Sequence, residues 1–273
     1  HQEFLGHTIE SIAAEKAAII KPGSRAVTGC EGVALDVVRE QAARAEVPLL
    51  ECAPLPVVSM DATGLVLRHE RMGELALPLL GRHQAANAAV ALGVLEALAE
   101  AGVARVSDEA IRTGLVATRW PGRLELLEHA GQAVLLDGAH NPDGMAVLAV
   151  TFDELAPSLP EGRATLLLGI MRDKEVKEML ATLTGSRLLA DARCLTTVVP
   201  ETDRALPAAE LAQAWLGVGG HAAEPVDDTD EALERALRAA AAEGGPLIIA
   251  GSLYLVGHLR ARLVGDALQD AHA

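Results

Sequence analysis

The stretch Leu135-Leu136-Asp137-Gly138-Ala139-His140-Asn141-Pro142-Asp143-Gly144 decides the fold, because an apolar run, an acid, a histidine and a helix-opening Asn-Pro pair follow in immediate succession. Val134, Leu135 and Leu136 read as the end of a buried strand. Asn141 is placed to cap a helix and Pro142 to occupy its first position. Open α/β sheets bind ligands at the carboxyl ends of their strands, so Asp137 and His140 are expected to project into such a crevice. A purely structural reading stays open here, since Asp-Gly is a common turn and an N-cap asparagine needs no ligand.

Apolar strands near 133–136, 164–168, 194–199 and 247–250 alternate with amphipathic helices, which predicts a parallel, Rossmann-like sheet. Upstream, the pattern predicts a helix over 8–20, a strand over 25–28, a helix over 33–44 and a strand over 48–51. A hairpin of 64–69 with 74–79 and helices over 84–101 and 107–117 follow. Trp120-Pro121-Gly122 interrupts the helical pattern and marks a domain boundary near 119–122. No G-x-G-x-x-G occurs, which argues against a dinucleotide-dependent dehydrogenase on the same architecture.

At 273 residues and 50% hydrophobic content the chain has material for two compact domains. A net charge of −15, with no cluster of basic and aromatic residues, excludes nucleic acid as a partner. An anionic small molecule is still allowed, because local Lys, Arg and helix N-termini suffice for it. Cys30, Cys52 and Cys194 are few, far apart and free of C-x-x-C spacing, which predicts free thiols in a reducing cytoplasm and no zinc site. The longest apolar helical stretch, 85–104, carries Glu96 and Glu100 and is not a membrane span.

Lys16 is anomalous on physical grounds alone. Ile9, Ile12, Lys16 and Ile19 or Ile20 recur at spacings of three and four, which puts the lysine on an apolar helix stripe. A buried ammonium is costly, and such a lysine tends toward the neutral, nucleophilic amine. The alternative is a side chain that snorkels to water.

Beyond single residues, an ordered set of segments carries a resemblance. It comprises His1-Gln2-Glu3-Phe4-Leu5-Gly6-His7-Thr8, the run from Ile12 to Gly23 around Glu15-Lys16-Ala17-Ala18, and Gly81-Arg82-His83-Gln84-Ala85-Ala86-Asn87-Ala88. Pro121-Gly122-Arg123, Asp137 to Pro142, Asp173-Lys174 and Gly251-Ser252-Leu253-Tyr254 complete it. Together they resemble folylpolyglutamate synthase/dihydrofolate synthase, a branch of the Mur ligase superfamily, from the first residue to about Arg260. The resemblance implies an α/β fold in which 1–119 is the C-terminal part of a Mur-type ATPase domain and 120–273 a Rossmann-like parallel-sheet domain. The family's phosphate loop, G-x-x-x-x-G-K-[ST], is not found in the sequence. The chain is therefore expected to be a fragment, inactive by itself, of a longer enzyme.

By this resemblance the intact enzyme is an ADP-forming ligase. It adds L-glutamate to dihydropteroate or a folate through an acyl phosphate, with ATP as co-substrate and Mg²⁺ as cofactor, as a cytoplasmic monomer. Lys16 corresponds to a carbamylated lysine that organises the metal site, with Ala18 standing where the family usually has glycine. His1 corresponds to a metal ligand. Asn87, Arg123 and Asp137 correspond to ATP contacts, while His140 and Ser252 correspond to glutamate contacts, His140 with a catalytic role. Bland readings accompany each: Asn87 on an ordinary helix start, Arg123 in an interdomain ion pair, Ser252 as an N-cap, Asp173 as another cap. Another Mur-type amide ligase and a noncatalytic nucleotide-binding fragment are the competing functions.

Overall fold

A computed structural model describes residues 8–265. They divide into two compact units. The first comprises residues 8–59, 66–77 and 82–117, and the second residues 60–65, 78–81 and 118–265.

In the first unit, α1 (Ile9–Ala17) is opened by a capping box in which Thr8 accepts from the Ser11 backbone and the Ser11 side chain accepts from Thr8. Strands β1 (Ala26–Thr28) and β2 (Leu49–Glu51) pair in parallel across α2 (Gly32–Arg44). Next come strands β3 (Val57–Asp61), β4 (Gly64–His69) and β5 (Gly73–Leu77), in that spatial order, of which residues 60–65 are counted with the second unit. Helices α3 (Gln84–Glu100) and α4 (Asp108–Ala117) follow. Helix α1 corrects one expectation. It packs through Ala17 and the following Ile20 against Ala42, Ala45 and Val47, while Ile9, Lys16 and Ile19 are exposed. Ile20 of the stripe enters this core, but Lys16 itself is exposed and lacks the burial on which the neutral-amine argument rested.

The second unit is a six-stranded sheet of order β10-β9-β8-β11-β7-β6. Its strands are β6 (Glu125–His129), β7 (Gln132–Asp137), β8 (Arg163–Leu168), β9 (Arg193–Thr196), β10 (Ala223–Pro225) and β11 (Gly244–Ala250). All neighbours are parallel except β6, which runs antiparallel to β7 at the edge. Successive strand residues point to opposite faces. Leu135, Leu166, Leu168, Cys194, Ile248 and Ala250 therefore share one core with α5 (Pro142–Leu155), α6 (Val176–Leu183) and α7 (Ala208–Gly217). Val134, Leu136, Leu167, Leu195, Leu247 and Ile249 share the other with α8 (Thr229–Glu243) and α9 (Leu253–Val264). Two buried faces leave no polar alternation, which is why these strands read as continuous apolar runs.

Strand β11, last in the chain, inserts between β7 and β8. This brings the loop after β7, the loop after β8 and the loop after β11 to one sheet edge, at their carboxyl ends. A crevice at that position is where doubly wound sheets accept ligands.

Phe152 on α5 is fully buried in the first of these cores, whereas Val150, two residues before it, is exposed. Phe152→Ala is expected to cost about 3–5 kcal/mol, and Val150→Ala to stay within about 0.5 kcal/mol. Urea unfolding of both variants checks this; equal, small losses would contradict the two-faced core.

Candidate functional site

The turn after β7 is built by its own residues. Asp137 is 5% exposed, and its carboxylate is divided between two backbone donors: Oδ2 accepts from Leu124 N at 2.9 Å and Oδ1 from Ala139 N at 2.7 Å. Burial pushes the carboxyl above the ordinary aspartate range, against the pull of those two donors and the fields of Arg123 and His140. Each oxygen still has a second lone pair for a ligand hydroxyl. Gly138 follows where a Cβ would lie 2.2 Å from Leu253, so only glycine lets this turn approach the start of α9. Asn141 caps α5 by accepting from Gly144 N at 2.7 Å, with Pro142 at the first position, as the sequence predicts.

His140 Nδ1 lies 2.9 Å from the Gly138 carbonyl oxygen. A carbonyl can only accept, so Nδ1 carries the proton and Nε2 is the ring nitrogen left to meet a ligand. His140 lines a cavity of about 140 Å³ together with Lys174, Arg204, Ser252 and Tyr254. Ser252 is buried and is the N-cap of α9, its Oγ accepting from Tyr254 N at 3.2 Å. The capping role therefore holds, and the hydroxyl proton is still available to a ligand in the same cavity. Three groups capable of positive charge surrounding a helix N-terminus suit a carboxylate-bearing small molecule.

Arg204 was not legible in the sequence. It sits in the loop after β9, where its Nη1 donates to Asp173 Oδ2 at 3.0 Å. This corrects the capping reading of Asp173: α6 begins only at Val176, behind Glu175, because Met171 bridges to Ala205 and Arg172 N donates to Arg204 O. The only available signal was position, an arginine in a loop leaving the carboxyl end of an apolar strand.

Arg123 stands over the Trp120 ring with its guanidinium carbon 4.9 Å from the centroid. Within the second unit no ion pair to it is seen among the described residues. The second unit thus gathers Arg123, Asp137, His140 and Ser252, with Lys174 and Arg204 added. Lys16 and Asn87 belong to the first unit. Asn87 is exposed on the first turn of α3, its Nδ2 donating to Oε1 of the buried Gln84 at 2.8 Å. His1 lies outside the described residues, among which no three His, Cys, Asp or Glu side chains cluster to hold a metal ion.

Comparison with known proteins identifies the family. The pattern of the family "Mur ligase, glutamate ligase domain" matches residues 122–253. The dihydrofolate synthase/folylpolyglutamate synthase of Bacillus subtilis is 32% identical over 272 residues, covering 96% of this chain and 60% of that protein. The folylpolyglutamate synthase of Lacticaseibacillus casei is 33% identical, with 97% and 60% covered. Among solved structures, Mycobacterium tuberculosis folylpolyglutamate synthase complexed with ADP and AMPPCP superposes with a TM-score of 0.79 at 29% identity, over 96% of this chain and 61% of that one. The chain thus spans about 60% of the length of these curated relatives. By sequence and by fold this chain belongs to the Mur ligase superfamily, as a homologue of its folylpolyglutamate/dihydrofolate synthases.

Proposed function

We propose that the chain serves an ATP-dependent carbon–nitrogen ligase that joins L-glutamate to a carboxylate of dihydropteroate or a folate. Within it, 1–119 is the C-terminal part of the ATPase domain and 120–273 the domain that receives glutamate. The observation that carries this reading is the small cavity where His140, Lys174 and Arg204 converge on the Ser252 cap. Similarity to folylpolyglutamate and dihydrofolate synthases supports the substrate class.

A carboxylate is a poor acyl donor because its leaving oxygen is strongly basic. Transfer of the γ-phosphoryl of ATP makes that oxygen a competent leaving group, and attack by the glutamate amine on the acyl phosphate then yields an amide, phosphate and a proton beside ADP. In this scheme Lys174 and Arg204 receive the carboxylates of glutamate. His140 Nε2 accepts from its amine and orients it, and Ser252 donates its hydroxyl proton to a carboxylate oxygen. Arg123, which can grip phosphate oxygens with two donors, screens charge on the nucleotide. Asp137 offers its spare lone pairs to ribose hydroxyls, and Asn87 its exposed amide to ATP.

Such phosphoryl chemistry takes Mg²⁺, which screens phosphate charge when bound. The described residues do not by themselves fit a Mg²⁺ site. The carbamylation of Lys16 rests on the resemblance alone, because the residue is exposed. Three free cysteines suit a reducing cytoplasm, and no helix among the described residues is long and apolar enough to cross a membrane.

Substitutions should separate the two ligands. His140→Ala and Arg204→Ala are expected to raise the glutamate KM, or in the case of His140 to lower kcat, with the ATP KM unchanged. A lost charge-assisted hydrogen bond of about 1.5–3 kcal/mol corresponds to roughly ten- to over a hundred-fold in kcat/KM. The readouts are ATP- and glutamate-dependent ADP release by the enzyme and calorimetric glutamate binding to the 273-residue chain. Parental constants in both variants would remove the glutamate site.

Asp137→Ala is expected instead to raise the ATP KM and to lower the melting temperature, since it frees the Leu124 and Ala139 N–H groups. A variant that melts early but keeps its ATP KM would leave Asp137 a purely structural residue.

A further inference from the structure

The segment that carries Arg123 is held in an uncommon backbone conformation. Trp120 O accepts from Arg123 N at 3.2 Å, with Pro121 and Gly122 at the centre of the turn and Gly122 at φ +69°, which is the pattern of a type II turn. Leu124, without glycine's freedom, sits at φ +45°. Such a residue persists only where its surroundings over-determine it. Three contacts do so. Gly122 O accepts from Gly138 N at 3.0 Å, Leu124 N donates to Asp137, and Gly122 N donates to Glu125 Oε2 at 2.7 Å.

The third contact has a support of its own. Arg260, on α9, grips Glu125 with Nε to Oε2 at 2.7 Å and Nη2 to Oε1 at 2.8 Å, the two side chains being only 16% and 17% exposed. A bidentate, half-buried pair of this kind fixes a carboxylate in direction as well as in place. The Glu125 carboxylate, immobilised by Arg260, is thereby aimed at the N–H of the residue just before Arg123.

We propose that Glu125 and Arg260 are positioning residues for Arg123: their ion pair locks the 120–124 turn and sets where the Arg123 guanidinium is presented. The turn-locking part rests on this geometry alone. The benefit to nucleotide binding rests on the phosphate role proposed above for Arg123.

Trp120 reports on this turn without any assay of turnover. It is 48% exposed, whereas Trp215, the other tryptophan, is buried, so acrylamide quenching reads Trp120. Glu125→Gln keeps the shape and removes the charge, and Arg260→Met removes the grip. Arg262→Met, on the same helix but paired with Asp230 away from the turn, is the control. The quenching constant is expected to rise in the first two by up to about two-fold, the limit set by full exposure of an indole now half exposed. It should stay parental in Arg262→Met, with circular dichroism showing all three folded. Parental quenching in folded Glu125→Gln would overturn the proposal even if Arg260→Met failed to fold. Titration with AMPPCP separates the two parts. Raised quenching in the variants, with weaker nucleotide binding than parental, supports both. Raised quenching with unchanged nucleotide binding keeps the locked turn and removes the phosphate role of Arg123.

Discussion

The carboxylate of Asp137 is the joint on which the candidate site depends. It ends the buried strand β7, binds the backbone of Leu124 on one side and of Ala139 on the other, and so ties the turn bearing Arg123 to the turn bearing His140. Burying a carboxylate is costly, and here the cost is offset by two backbone donors with Arg123 and His140 close enough to favour the charge. The net effect of burial still raises its pKa. A residue so placed staples two turns at once, and removing its carboxylate frees both backbone N–H groups.

The strands that hold this joint were the easiest part of the sequence to read. β7, β8 and β11 are covered on both faces, and the resulting apolar runs stand out against any background. The strands that went unread lack that property. β6 is an edge strand, antiparallel, with Glu125, Glu128 and His129 among its five residues; β3 is largely exposed, and β10 has only three residues. Helix periodicity misled in one case. On α1 the spacing of Ile9, Ile12, Lys16 and Ile19 or Ile20 marks a stripe, but only Ile20 of these is buried, beside Ala17, against α2 and the strand that follows it. Periodicity gives a face and does not say what the face meets.

The candidate site residues that the sequence singled out in the second sheet lie mostly at strand-to-helix junctions. Asp137, His140, Asn141 and Ser252 all occupy such junctions, where capping rules and ligand rules select the same small polar residues. That coincidence makes them visible and also explains why each had an innocent reading. Ser252 proves to be both a cap and a lining residue of the cavity. Arg204 had no such marker, because it comes from an irregular loop whose path is set by the Met171–Ala205 bridge, and a bridge between distant residues has no local sequence signature. Glu125 and Arg260, separated by 135 positions, were hidden for the same reason.

Helix α9 connects these pieces mechanically. Its first turn supplies Ser252 to the cavity, and Arg260, roughly 12 Å further along at 1.5 Å per residue, holds Glu125 under the Arg123 turn. Between the two ends, Leu255, Val256 and Leu259 are buried in the sheet core. A hydrogen-bonded helix anchored in that way moves as one body. The cavity lined by Ser252 and the turn carrying Arg123 therefore share one helix, and the distance between the cavity and that turn is set by the packing of α9 against the sheet.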